Sequence, residues 1–404
     1  MKKIILFSFL LCIIFSVRSQ SRKNCGFGEI QQRIQSSPDY EQHQLAYQKL
    51  LKEFKNYKMD TVIVIPTVIH VIYQNATENI SKAQIQSQLD ALNNDFRKLN
   101  ADTTNVASGF SKADVKLEFA LATFDPFGNS TSGITRTFTT IDSIGFKDLH
   151  DDLVPAWNSR RYLNIWVCNV GPFLLGFATP PGASVNPQED GVVIGSEYFG
   201  TIGTVHNDPS NVYNKGRTAT HEIGHYLNLL HIWGNDFNPS CSTDDQIADT
   251  PNQSREIYDC PLPSSTCGSN DMLSNYMGYI DDACMGNFTL GQKTRMRNAL
   301  YILRDSLQYG VTLGITSLKE VNELSKTNIF PNPSLGIFQL SFSNSIPIKN
   351  VSIQILDLLG KEVSFQKRES IHGLEIELSK AKKGIYFVKL EEDNFTVIKK
   401  LIKH

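Results

Sequence analysis

Two histidines and a glutamate lie together in the sequence at a spacing that could bind a metal ion and activate water. Residues 218–231 carry apolar side chains at helical spacing, so this segment predicts a helix. His221 and His225 are four residues apart, which places them one turn apart on one face of that helix. Glu222 stands beside the first histidine, where its carboxylate can accept a proton from a zinc-bound water that attacks a carbonyl.

His231, six residues after His225, is the third candidate ligand. A continuing helix would turn its side chain away from the first two histidines, so the chain must leave the helix between them. Asn228 suits this turn, because asparagine tolerates the left-handed backbone conformation better than any residue except glycine. Three histidines leave the fourth tetrahedral position open for water, so the segment predicts one catalytic zinc ion.

Two other functions compete with this interpretation. A zinc peptidase that uses a downstream glutamate as its third ligand would need a glutamate-bearing helix at a comparable place, and none follows. A non-catalytic surface protein that keeps the metal as a structural staple would have no use for Glu222 as a base. Both features favour hydrolysis by a site with three histidines.

The segment resembles the metzincin signature His-Glu-x-x-His-x-x-Gly-x-x-His, with Asn228 in place of the glycine. Residues 274–279, Ser-Asn-Tyr-Met-Gly-Tyr, resemble the turn that holds a methionine beneath the metal in metzincins. The continuation through residues 281–296 is similar to the pappalysin family, and the likeness spans about residues 60–305.

This resemblance implies an α+β catalytic domain of two lobes, with a twisted mixed sheet and long helices above a zinc cleft. It implies a zinc metalloendopeptidase that cleaves proteins or peptides, with substrate paired to an edge strand near residues 174–178. The site residues that it implies are His221, His225 and His231 as zinc ligands, Glu222 as general base and acid, Met277 in the turn, and Tyr279 at the oxyanion or substrate.

Substrate specificity departs from part of that family. Some pappalysins prefer a basic residue, apparently through an acid just before the cysteine that corresponds to Cys284. Ala283 occupies that position here, and the nearby Asp281 and Asp282 are shifted. A strict preference for arginine or lysine is therefore not expected.

Four of the seven cysteines crowd into residues 241–284, and an exported protein uses disulfides by default. Sequence alone allows three connectivities for four cysteines, and the resemblance implies Cys241–Cys267 and Cys260–Cys284. The loop at 241–251 is rich in oxygen ligands. Family likeness suggests calcium there, held by Asp245 and Thr250, whereas a solvated acidic loop explains the composition equally well.

Cys25 stands alone near the start of the exported chain. In several metzincins a propeptide cysteine fills the open zinc position, and a thiolate is a good zinc ligand. We therefore interpret Cys25 as a latency switch that a cleavage near residue 60 releases. The alternatives are an incidental cysteine or a disulfide to Cys168, although the strand pattern at 162–170 favours a buried free thiol.

The two ends of the chain predict export. Residues 1–19 combine two lysines, an apolar run shorter than the ~20 residues of a membrane-spanning helix, and small residues at the end, as in a cleaved signal peptide. The C-terminal segment, with Pro-Asn-Pro at 331–333 and Gly-Ile-Tyr at 384–386, resembles the sorting domain of the type IX secretion system. That likeness implies passage through the periplasm and outer membrane to a secreted or surface-attached state. A generic adhesive β-sandwich is the alternative.

The predicted organisation has five parts: a signal peptide (1–19), a propeptide (20–60), a catalytic domain (61–310), a linker (311–328) and a small immunoglobulin-like β-sandwich for sorting (329–404). Predicted catalytic elements are a strand at 61–73 interrupted at Pro66, a helix from Ser81 to Leu99, strands at 115–124, 162–170, 174–178 and 192–194, and a helix at 292–307. A helix is also predicted at 41–57.

Charge and hydropathy exclude two classes of partner. The 39 Lys and Arg balance 41 Asp and Glu, so no global basic surplus is available to bind nucleic acid. No segment after the signal peptide is apolar enough to predict a stable membrane span. The expected partners are protein or peptide substrates, the chain's own propeptide and the type IX secretion machinery.

Overall fold

The described part of the chain comes from a computed structural model and comprises residues 24–35, 61–145, 154–181, 187–234, 237–260, 263–304, 307, 327–342, 351–357, 361–370, 373–392 and 395–404. It divides into two compact units, Met1–Ile315 and Thr316–His404. The predicted signal peptide, the helix at 41–57 and most of the linker lie outside the described residues. The described helices include none that is long and apolar enough to cross a membrane.

Short β-branched segments of the first unit assemble into one mixed sheet of seven strands. The strands are β1 (Asn24–Cys25), β2 (Ile63–Tyr73), β3 (Leu117–Leu121), β4 (Ile134–Phe138), β5 (Leu163–Cys168), β6 (Leu174–Ala178) and β7 (Val192–Gly195). Their order is β1-β6-β7-β5-β2, with β3 and β4 paired to the two halves of β2. Only β6 and β7 are antiparallel to each other.

The predicted interruption at Pro66 is wrong, because β2 runs unbroken through that residue. Ile63 donates its N–H to the carbonyl of Lys116, on the side of β2 where β3 lies. Successive backbone nitrogens of a strand face opposite sides, so the nitrogen of Pro66, three residues later, faces the side away from β3. On that side β5 pairs with β2 only from Thr67 onward. The missing N–H of proline therefore removes no hydrogen bond of the sheet.

Four helices are described in the first unit: α1 (Phe27–Gln35), α2 (Lys82–Phe96), α3 (Arg217–Tyr226) and α4 (Leu290–Ile302). Ser81 caps α2 as predicted, by accepting the N–H of Gln84. Helix α4 begins earlier than predicted, because Thr289 and Gln292 form a capping box. Three short 3-10 helices lie at Ala101–Asn105, Pro187–Glu189 and Gly203–His206.

One continuous apolar core joins the sheet to the helices. The apolar face of α2 contributes Ile85, Leu89, Leu92 and Phe96, and α3 contributes Ala219, Ile223 and Tyr226. All of these side chains are buried. The core thus fixes α2 and α3 on the sheet, and α3 carries the predicted metal ligands.

The second unit is all β. A three-stranded sheet has the order β10 (Ser352–Asp357), β13 (Gly384–Glu392), β14 (Phe395–Lys403), and a four-stranded sheet has the order β11 (Gln366–Ser370), β12 (Gly373–Glu377), β9 (Ile337–Ser341), β8 (Asn328–Phe330). Residues from both sheets share one apolar core, which includes Phe338, Ile376 and Val388. An immunoglobulin-like topology and the exact domain bounds stay predictions.

Replacement of Leu92 by alanine tests the core under α2. Leu92 is fully buried there, so Leu92→Ala should lower the free energy of unfolding by about 2–5 kcal/mol. Urea denaturation of the full chain measures this change. Asn94→Ala, at an exposed position on the same helix, is the matched control. Equal stability of the two variants would contradict the assignment of this face to the core.

Candidate metal centre

The backbone around α3 brings the third histidine back to the first two. Every residue of α3 is buried, and the helix ends at Leu227. Asn228 follows with φ 75°, the left-handed conformation expected for it, and Leu229 donates its N–H back to the carbonyl of Gly224. The chain therefore reverses at once, and His231 faces the helix that it has just left.

The three histidines converge through their Nε2 atoms. Each pair among His221, His225 and His231 has its Nε2 atoms 3.1 Å apart, and all three side chains are buried. A tetrahedral zinc ion with 2.0–2.1 Å bonds needs nitrogens about 3.3 Å apart. The triangle thus fits zinc closely.

The other ring nitrogens are fixed by backbone carbonyls. His221 Nδ1 donates to the carbonyl of Tyr276 at 2.7 Å, and His225 Nδ1 donates to that of Leu229 at 2.9 Å. A carbonyl only accepts, so both protons are on Nδ1, and Nε2 has a lone pair for a metal. Burial, together with the neighbouring His231 and His221, holds the pKa of His225 well below its usual value, which favours the neutral form of a ligand.

Cys25 completes a set of four potential ligands. Its Sγ and one nitrogen from each histidine all lie within 4.8 Å of one another. Strand β1 places it by pairing with β6, where Cys25 lies opposite Gly176 and Gly26 donates its N–H to the carbonyl of Gly176 at 2.9 Å. Among the described residues this is the one cluster of His, Cys, Asp or Glu that could hold an ion.

The alternative disulfide between Cys25 and Cys168 is wrong, since both residues carry thiols. Cys168 ends β5 as a fully buried residue, and that burial raises the pKa of its thiol far above the usual value. The two disulfides are Cys241–Cys267 and Cys260–Cys284, with Cα atoms 5.4 and 5.8 Å apart. Cys25 is therefore available to the metal centre.

Phe27 is a member of the site that sequence reasoning missed. Its ring stacks on His225 with centroids 3.8 Å apart and meets His231 edge-on at 5.7 Å. It is buried, and its N–H donates to Cys25 Sγ at 3.3 Å. Its position two residues after Cys25 is the feature of the sequence that could have indicated this role. The segment that carries Cys25 thus covers the histidines with an aromatic ring as well as a thiol.

Glu222 is fully buried, and on the described chain its carboxylate oxygens have no hydrogen-bond partner other than the neighbouring Cys25 side chain. Such a group is rare in a folded protein, and an incomplete reaction site is one explanation. Burial raises its pKa to about 8, and the neighbouring Cys25 side chain opposes that rise. Glu222 lines one cleft with His221 and Cys25, and a Cβ on Gly176 of β6 would lie 3.3 Å from its Cγ.

Met277 and Tyr279 lie beneath and beside the histidines. Met277 is fully buried, and a Cβ on Gly224 would lie only 2.4 Å from its Sδ, so a larger residue at that position of α3 would force Met277 to shift. Tyr279 has its ring 4.8 Å from that of His231 and lines a cleft with Glu222. Sequence reasoning missed the role of Gly224, although its place within the metal-binding motif was a signal.

The expected calcium ligands contact each other instead. Thr250 Oγ1 donates to Asp245 Oδ1 at 2.7 Å, and Ile247 donates its N–H to the same oxygen. Asp245 Oδ2 has no partner among the described residues, and burial raises the pKa of this carboxyl to about 7. No metal-binding cluster that includes Asp245 is found among the described residues, and calcium at Asp245 and Thr250 stays a prediction.

A buried polar cluster behind the histidines was also missed. Asp95 of α2 accepts hydrogen bonds from Arg217 at 2.6 Å, Thr220 at 2.7 Å and Tyr276 at 3.1 Å. Arg217 also donates to Asp102, and its backbone N–H donates to Asp282. The signal in the sequence was a charged residue next to the apolar face of a helix.

Comparison with known proteins agrees with this site. Residues 148–301 match a peptidase family, M43, described as pregnancy-associated plasma protein-A, and residues 328–404 match a secretion system C-terminal sorting domain. An extracellular metalloprotease of Arthroderma benhamiae is 33% identical over 255 residues, which are 62% of this chain and 82% of that protein.

Solved structures of mirolysin from Tannerella forsythia are similar as well. Mature mirolysin in complex with a cleaved peptide is 45% identical, with a TM-score of 0.59, over 63% of this chain and 98% of that one. A promirolysin mutant is 41% identical, with a TM-score of 0.65, over 72% of this chain and 98% of that one. The chain belongs to the pappalysin family of metalloproteases and ends in a type IX secretion sorting domain.

Proposed function

We propose that this metalloprotease is a secreted zinc endopeptidase, made as a latent zymogen, in which Glu222 assists the attack of water on a peptide bond. One observation carries the proposal: a buried carboxylate whose one partner is the Cys25 side chain shares a cleft with His221, and the Nε2 atom of His221 lies 3.1 Å from those of His225 and His231. A purely structural zinc site has no use for such a carboxylate, since four closed ligands suffice there.

The chain's own residues would act as follows. His221, His225 and His231 would hold zinc, which supplies a Lewis acid that makes water nucleophilic near neutral pH. Glu222 would take the proton of the attacking water and deliver it to the leaving amine. The ring of Tyr279, which lines the same cleft, supports a role at the substrate or its oxyanion.

Substrate would pair with β6 along the edge that β1 now covers. Strand β1 occupies that edge in the described chain, so the propeptide and a substrate would compete for the same backbone hydrogen bonds of β6.

The cleft beside Glu222 supports the expected lack of a strict basic preference. Its apolar walls include Leu175, Ile280 and Met285. Asp282 also lines it, but Asp282 Oδ2 already accepts the backbone N–H groups of Lys215 and Arg217. Ala283 supplies no carboxylate.

We further propose the order of processing. A signal peptide (1–19) would be removed on export, a propeptide (20–60) would hold the enzyme latent until a cut near residue 60, and the sorting domain (329–404) would direct passage across the outer membrane. The match of residues 328–404 to a sorting domain and the likeness to promirolysin support this order.

Glu222→Gln tests the proposed base. The variant should retain about one zinc per chain, because no ligand is changed, and should lose at least about a thousandfold in kcat, because no carboxylate accepts the proton. Metal analysis and cleavage of a peptide library by activated enzymes measure both. The metal-depleted wild type, reloaded with zinc, is the control for recoverable activity. A Gln variant with full activity would refute the mechanism.

Cys25→Ala tests the latency switch. The full-length variant should cleave a small peptide at least about tenfold faster than the full-length wild type, because water replaces the thiolate at the open metal position. Cys168→Ala is the matched control, since it removes a buried thiol away from the site. If the Cys25 variant were as latent as wild type, the switch would be wrong.

Phe27→Ala tests the aromatic part of the latch. Loss of the ring that stacks on His225 should raise the activity of the full-length chain and make residues 24–35 more accessible to an added protease. Gln32→Ala, at an exposed position on α1, is the control and should change neither rate. Equal protease accessibility of the Phe27 variant and wild type would mean that the stack contributes nothing to latency.

A further inference from the structure

We propose that Asp95, on α2, is a positioning residue for the metal ligand His221, although it lies 126 residues before it in the chain. It acts through Tyr276 and through the first turn of α3. The inference rests on the proposed zinc site, and it concerns which residues outside that site set its geometry.

The carboxylate of Asp95 is saturated with donors from two different segments. It is 2% exposed, with Oδ1 accepting from Arg217 Nη1 and Tyr276 Oη, and Oδ2 accepting from Thr220 Oγ1. Arg217 and Thr220 belong to α3, whereas Tyr276 belongs to the turn that precedes Met277. One side chain on a third element thus joins the two segments that form the metal centre.

Tyr276 transmits the position of Asp95 to His221. Its hydroxyl is held by Asp95 at 3.1 Å, and its own carbonyl accepts the Nδ1 proton of His221 at 2.7 Å. The ring between them is fully buried and packs against Phe288, with centroids 4.8 Å apart. Because the residue is fixed at its ring end, the carbonyl that orients the imidazole has little freedom to move.

A second route runs through the helix itself. Thr220 immediately precedes His221, and Arg217 lies one turn before it, so bonds from both to Asp95 fix how α3 is rotated about its axis. Arg217 is fixed further by Asp102 and by the bond from its backbone to Asp282. Rotation of α3 would swing the imidazole out of the triangle of Nε2 atoms.

This cluster is better explained by positioning than by stability. Burial of an ion pair costs about as much in desolvation as the attraction returns, so apolar residues could hold α2 against α3 equally well. Apolar residues could not fix the carbonyl of Tyr276 or the rotation of the helix by directional bonds. Partners that orient metal ligands typically contribute 10- to 100-fold in metal affinity or activity.

The test measures zinc affinity of the full-length chain by competition with a chelator, for Asp95→Asn and Tyr276→Phe. Tyr276→Phe removes only the hydroxyl and keeps the carbonyl that binds His221. Both variants should bind zinc about 10- to 100-fold more weakly and, once activated, lose kcat with KM changed less than threefold. If Asp95→Asn does not fold, the zinc affinity of Tyr276→Phe alone tests the positioning role.

Asn93→Ala is the matched control. Asn93 lies on the same helix and bonds to both backbone groups of Phe119 in β3, away from the metal centre. It should lower the melting temperature and leave zinc affinity within twofold of wild type. Wild-type zinc affinity in Tyr276→Phe and Asp95→Asn would overturn the positioning role. Failure of the wild type to bind zinc would instead overturn the proposed function.

Discussion

Three imidazole nitrogens held 3.1 Å apart in a buried site are the constraint on which the rest of the structure depends. Buried carbonyls fix the tautomer of His221 and His225, so that the Nε2 lone pairs of both rings face the centre of the triangle. The left-handed Asn228 returns His231 to the helix. Gly224, within the helix, leaves room for Met277 against it. The break in the helix and the small residue within it therefore serve the same triangle.

The edge of the sheet performs two tasks at this triangle. Strand β6 pairs with β7 along one edge, and in the described chain its other edge pairs with β1, the last strand of the sheet. Pairing at Gly176 brings Cys25 to the histidines and starts α1 at Phe27, whose ring covers His225. The hydrogen bonds of the edge strand hold residues 24–35 in place, and their thiol and ring cover the histidines. Displacement of a single strand would therefore expose both the histidines and the edge of β6 where we propose that substrate binds.

The sequence was most informative where chemistry is local. The spacing of His221, Glu222 and His225 needs only one helix, and the turn at Asn228 needs only one tolerant residue, so both could be predicted without the fold. The strand through Pro66 was not predicted, because whether a missing N–H matters depends on which neighbour pairs on that side. Asp95 was missed for a related reason, since its partners lie more than 120 residues away. Phe27 was missed because nothing in the sequence tells which ring His225 will stack against.

Two buried carboxylates in this unit differ in how many hydrogen-bond partners they have, and this difference matches the different roles that we propose for them. Asp95 and Glu222 are both removed from solvent, and burial raises the pKa of each, to about 6 and about 8. Asp95 offsets the cost with an arginine, a threonine and a tyrosine, so nothing remains for it to bind. Glu222 has no such partners on the described chain, and its burial is tolerable only if another group takes that place when the enzyme works. The carboxylate with three partners is thus the one to which we assign positioning, and the carboxylate without them is the one to which we assign proton transfer.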